Sequence, residues 1–133
     1  MIKPNDIIRL KLNDKRKPTL FKEPHYYLCI ERDEKSIKCL SFTSNFMKLF
    51  MCDGASPSDI HEIMPAAMSV NIFTKRTFII LNEIFVIENV KEPAKMFTKE
   101  NCFKQDVFNA IIKRISSSAK RYIISKASNV EFI

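Results

Sequence analysis

A histidine, an acid and several cations stand close together near the start of this chain. An unperturbed imidazole changes charge near neutrality, which makes His25 a candidate general base or acid. The competing role is a strand-edge histidine that hydrogen-bonds a neighbouring loop. Glu23 is separated from it only by Pro24 and could pair with the ring and tune it. Arg16, Lys17 and Lys22 fall in a polar stretch from Asn13 to Pro24. Arg16 and Lys22 are cations that could stabilise an anionic transition state, with Arg the better fit for bidentate phosphate recognition, or could be ordinary solvated loop charges. Further on, Thr43 and Ser44 place two short hydroxyls side by side, able to contact a phosphate or to bond their own backbone in a turn. Phe46, Met47 and Phe50 follow, as a stacking groove for bases or as core or dimer packing.

Composition narrows the chemistry. The 133 residues are one domain's worth of chain, and an apolar content of 46% supports a packed core. A single glycine excludes a glycine-rich phosphate loop and a dinucleotide fingerprint, both of which need several residues tolerating close backbone approach. Lys and Arg number 22 against 15 for Asp and Glu, and the net charge of +7 favours an anionic partner such as nucleic acid. The cysteines at 29, 39, 52 and 102 form no paired zinc spacing, so no metal or other cofactor is expected and the thiols read as small core residues. Met1 to Asp6 lacks the apolar segment of a signal peptide, and no apolar run reaches membrane-spanning length, so a cytoplasmic protein with no membrane partner is expected.

The elements that must position these residues read as strands first and a helix last. Pro4-Asn5-Asp6 forms a turn into a strand from Ile7 to Leu12, where Ile8, Leu10 and Leu12 alternate with Arg9 and Lys11. His25 to Ile30 and Ser36 to Ser44 form a hairpin around the charged turn 31–35, and Tyr26 and Tyr27 must lie on opposite faces. Residues 45–71 read as an irregular insertion with one short helical turn, capped by Ser56 with Pro57 in its first turn and ended early by Pro65. Thr77 to Leu81 is a buried strand that Asn82-Glu83 interrupts before Ile84 to Ile87 continues it. From about 101 to 126, the residues Phe103, Val107, Phe108, Ile111, Ile112, Ile115, Ala119, Tyr122 and Ile123 share a helical stripe. The expected fold is mainly β (α+β): a single domain over 1–133, built as a small, strongly bent antiparallel β-barrel closed by a C-terminal amphipathic helix.

The order of these pieces resembles the PemK/MazF-like toxin endoribonucleases, including their ToxN-like relatives. The likeness rests on the opening Ile2-Lys3-Pro4-Asn5-Asp6-Ile7-Ile8, the hairpin ending Leu40-Ser41-Phe42-Thr43-Ser44-Asn45-Phe46, the segment Leu81-Asn82-Glu83-Ile84-Phe85-Val86-Ile87 and the place of the helix. The resemblance implies a barrel, often dimeric, that cuts single-stranded RNA without a metal, the 2′-hydroxyl attacking the adjacent phosphate. It also implies a cognate antitoxin, protein or RNA. Thr43 and Ser44 match the family's Thr-Ser that binds phosphate or positions the attacking hydroxyl. The catalytic set so implied is His25, Glu23, Arg16, Thr43 and Ser44, with Lys17, Lys22, Asn45, Phe46 and Asn82 binding RNA. Two departures stand out: Asn82 occupies the position of a family acid, and Ile80 that of an occasional Arg. Asparagine hydrogen-bonds but takes no proton at neutral pH, so catalysis would run through the first loop or be absent.

Two other functions fit the same residues. One is a non-catalytic RNA- or protein-binding module on the same barrel. The other is a regulator that binds a macromolecule through the apolar run Phe46, Met47, Leu49, Phe50 and Met51. The nuclease reading requires the residues after the second hairpin arm to cluster beside the cationic stretch before the first, in one cleft.

Overall fold

A computed structural model describes residues 1–13, 23–45 and 56–133. Nine strands are present among them: β1 (Ile7–Leu12), β2 (His25–Arg32), β3 (Ile37–Thr43), β4 (Ile60–Glu62), β5 (Phe78–Ile80), β6 (Glu83–Ile87), β7 (Thr98–Lys99), β8 (Lys120–Ile124) and β9 (Val130–Phe132). One helix, α1 (Gln105–Arg114), lies between β7 and β8.

The alternation in β1 is realised as antiparallel pairing with β2, which in turn pairs with β3. The β2–β3 register shifts between Cys29 and Glu31, a bulge that bends the strand and strengthens its twist. β3 then holds two partners along one edge, β6 against Ile37 to Cys39 and β5 against Phe42 and Thr43. The offset between them is the interruption that the sequence predicts at Asn82-Glu83. β1 likewise holds β7 and β9 end to end along its outer edge. The path β8-β6-β3-β2-β1-β9 is a sheet curled into a half-barrel.

Curling separates the side chains into two main cores, beside a third small cluster of Ile60, Phe78 and Ile80. Inside lie Ile8, Leu10, Tyr27, Cys29, Ile37, Cys39, Phe85, Ile87, Tyr122 and Ile124, drawn from alternate positions of the strands. Tyr27 is only 1% exposed and meets Phe85 edge to face at 5.6 Å between centroids, whereas Tyr26, on the other face, packs with the outer core. That outer core joins Ile7, Leu28, Leu40, Phe42, Ile84 and Val86 to Phe108 and Ile111 of α1. Burying a Phe and an Ile from one helical stripe contributes roughly 1.5–3 kcal/mol per side chain, enough to hold a ten-residue helix that would be marginal alone.

Three expectations need correction. The helix does not run over 101–126. It stops at Arg114, Ile115 takes an extended backbone, and Ser116 to Ser118 form a turn through the Ser116 and Ser118 hydroxyls. Lys120 to Ile124 is instead β8, in which Tyr122 and Ile124 are buried and Ile123 is 48% exposed. The sheet is also not wholly antiparallel, because β8 runs parallel to β6 from Glu83↔Lys120 to Ile87↔Ile124. Finally, the described part of the 45–71 insertion is more regular than expected. Ser56 caps a 3-10 turn at Pro57–Asp59, its backbone N–H donating to Asp59 Oδ2 at 3.0 Å, and β4 follows. Pro65 opens a second 3-10 turn at Pro65–Ala67, as suits a residue with no amide hydrogen to offer.

Candidate functional site

The open end of the β2–β3 hairpin carries a cleft with a volume of about 470 Å³. Three segments wall it. Glu23, Pro24, His25 and Tyr26 come from the start of β2, and Phe42 to Asn45 from the end of β3. The third wall is the loop Ile72 to Lys75 with Thr77, which leads into β5. The hairpin makes the first two meet: Tyr27↔Ser41 and Leu28↔Leu40 are paired, and the same register continued outward sets His25 level with Thr43. On its other side His25 pairs with Leu10 of β1. The position is therefore fixed by strands on both flanks.

The imidazole has a defined hydrogen-bonding role. Its Nδ1 lies 2.8 Å from the Glu23 carbonyl oxygen, and because a carbonyl only accepts, Nδ1 carries the proton. In the neutral ring Nε2 then keeps a lone pair with which to take a proton. The contact of Glu23 with His25 thus runs through the backbone carbonyl rather than the carboxylate. Thr43 Oγ1 accepts from the Asn45 N–H at 3.1 Å, closing a small turn in which the hydroxyl hydrogen can still be donated outward. Ser44 and Asn45 are exposed at the rim.

Aromatic rings form the apolar wall. Tyr26 meets Phe73 edge to face at 5.5 Å and Phe97 at 5.2 Å, and Phe73 lies against Phe42 at 5.0 Å. The Arg9 guanidinium sits 5.9 Å from the centre of the Tyr26 ring, so that face of the ring is covered.

The structure gathers Glu23, His25, Thr43, Ser44 and Asn45 into one cleft. It does not bring Asn82 there: that residue sits at the turn between β5 and β6, its carbonyl accepting from the Lys120 N–H at 2.9 Å. Arg16, Lys17, Lys22 and Phe46 lie outside the described residues. Sequence reasoning missed the third wall altogether. The signal was the run Thr74-Lys75-Arg76-Thr77, cations between hydroxyls directly before a buried strand.

A second pair lies away from the cleft walls. His61 on β4 accepts from Arg114 at 2.6 Å through Nδ1. Burial first, and then the adjacent guanidinium, hold its imidazole below the ordinary value, which disfavours the protonated form. Among the described residues no three His, Cys, Asp or Glu side chains converge to ligate a metal. Nor is any helix there long and apolar enough to cross a membrane. A comparison with protein-family models finds none that matches this chain, and a comparison with curated proteins finds no significant match.

Proposed function

We propose that this chain is a metal-independent endoribonuclease of the PemK/MazF-like toxin kind, acting on single-stranded RNA in the cytoplasm and neutralised by a protein or RNA antitoxin. The observation that carries the reading is the meeting of His25 with Thr43 and Ser44 in one cleft of about 470 Å³, within the usual range for small-ligand sites. The half-barrel and the net charge of +7 support it.

In this reading Nε2 of His25 takes the proton of a ribose 2′-hydroxyl. The 2′-oxygen bonds to phosphorus and the bond to the 5′-oxygen breaks, that oxygen taking a proton from solvent. A 2′,3′-cyclic phosphate and a 5′-hydroxyl are left. Hydroxyl hydrogens of Thr43 and Ser44 donate to the non-bridging oxygens, where negative charge grows in the transition state. Incubating the purified protein with single-stranded RNA and a chelator should give cyclic-phosphate ends; intact RNA at concentrations lethal to an expressing host would overturn the reading.

A non-catalytic RNA-binding module is the second reading, favoured by Asn82 standing where the family has an acid. It requires RNA binding with steep salt dependence that survives His25→Ala and no cleavage by the unmodified protein.

A further inference from the structure

We infer that Lys75 and Phe73 form a nucleotide subsite in the same cleft, Lys75 contacting the phosphate and Phe73 stacking the adjoining base. The inference rests on the single-stranded RNA reading and names two residues that neither the family likeness nor the strand pattern assigns.

Lys75 is exposed, and it is the one Lys or Arg among the described residues lining the cleft. Its neighbour Arg76 is turned to other work. The Arg76 guanidinium forms a two-point ion pair with Glu62 of β4 and lies 5.2 Å from the centre of the Phe78 ring. Adjacent cations are thus divided, one holding the sheet edge and one on the cleft wall.

The loop is also pinned at both ends, so these side chains are presented from a fixed backbone. At its start Asn71 Oδ1 accepts from the Phe73 N–H at 3.1 Å. At its end the buried Thr77 hydroxyl donates to the Lys75 carbonyl at 2.8 Å, while the Thr77 carbonyl accepts from the Ile63 N–H at 2.9 Å. Phe73 is half-buried: Phe42 and Tyr26 support the ring, and part of it still lines the cleft. A supported ring two residues from an exposed lysine, in the cleft that Thr43 and Ser44 also line, matches one base and its phosphate. Stacking of this kind accepts any base, so the subsite fixes strand position more than sequence.

The test uses single-stranded RNA with 2′-O-methyl groups, which bars the 2′-oxygen from attacking and leaves binding alone to be read. Binding is titrated between 50 and 200 mM salt, conditions over which phosphate contacts show as a slope of about 0.7 per neutralised charge for single strands. Lys75→Ala should flatten that slope by about 0.7 and Lys75→Arg should restore it. Lys113→Ala, an exposed change on α1, should leave it unaltered. Phe73→Leu, which keeps an apolar side chain in the outer core, should weaken binding roughly 5- to 150-fold without changing the slope. An unchanged slope in Lys75→Ala, with unmodified RNA still cut by the parent protein, overturns the subsite and leaves the nuclease reading standing. A parent protein that neither binds nor cuts overturns both.

Discussion

Arg114, the last residue of α1, donates to Nδ1 of His61 on β4 at 2.6 Å and to the Ile60 carbonyl at 3.0 Å. A guanidinium only donates, so the contact requires a neutral imidazole with its proton on Nε2. Folding therefore lowers the proton affinity of His61, first through burial and then through the cation beside it. The unfolded chain binds the proton more readily, and stability rises with pH in that window. The contribution is whole above the ordinary imidazole value near 6.5 and is lost as the pH falls below it. Melting temperature measured from pH 7.5 to 5.5 should drop, and His61→Gln should drop less. Parallel curves for the two proteins would exclude His61 as the source.

Asn5 supports the turn into β1 with every polar group it has. Its backbone is left-handed at φ 73°, which asparagine tolerates better than most residues. The side chain donates from Nδ2 to the Phe103 carbonyl at 2.7 Å and accepts from the Phe103 N–H at 3.1 Å. Replacement by Ala strands both Phe103 groups in the core and adds backbone strain, a loss of about 2–4 kcal/mol in urea melts. Asn5→Gly should recover about 1 kcal/mol of it by relieving the backbone alone.

Cys29 and Cys39 face each other across β2 and β3, and both are fully buried. The Cys29 amide and carbonyl bond to Asp6 and Asn5 on the β1 side, so the cysteines form a non-hydrogen-bonded pair, the closer of the two antiparallel spacings. Contact with Cys29 and burial raise the Cys39 thiol well above its usual value, and burial pushes Cys102 up to about 11. Thiol reagents at pH 8 should therefore label at most one of the four cysteines in native protein and all four in denaturant. Rapid native labelling of Cys29 or Cys39 would contradict the buried pair.

His25→Ala should lower RNA cleavage by about 10²–10⁴, the usual contribution of a positioned proton-transfer group. Because the ring's hydrogen bond is local and exposed, unfolding free energy should change by no more than about 0.5 kcal/mol. A variant that cleaves at the parental rate would move the proton transfer to another group.

The strands were legible where local pattern and tertiary role agree. Ile8, Leu10 and Leu12 alternate because one face of β1 meets the inside of the curled sheet, and β2 and β3 follow from the charged turn between them. The end of α1 was illegible because Tyr122 and Ile123 continue the helical stripe by coincidence, while what decides their structure is β6, more than thirty residues away. Pairing partners at that distance leave no local period to read. At the site, His25, Thr43 and Ser44 were readable as hairpin ends. Phe73 and Lys75 were not, since Asn71 to Thr77 has no periodicity and reaches the cleft only through the pairing of β5 with β3.

β8 and β9 flank opposite ends of the curled path, yet only residues 125–129 separate them along the chain. The two halves of the rim are thus tied by a covalent strap where no ladder among the described residues joins them. During synthesis the strand that pairs with the outer edge of β1 at Leu10 to Leu12 among the described residues is complete only when residues 130–132 emerge. Among the described residues, a chain without β9 would present strand backbone at this edge beside apolar side chains, a template for self-association that the β1–β9 pairing removes.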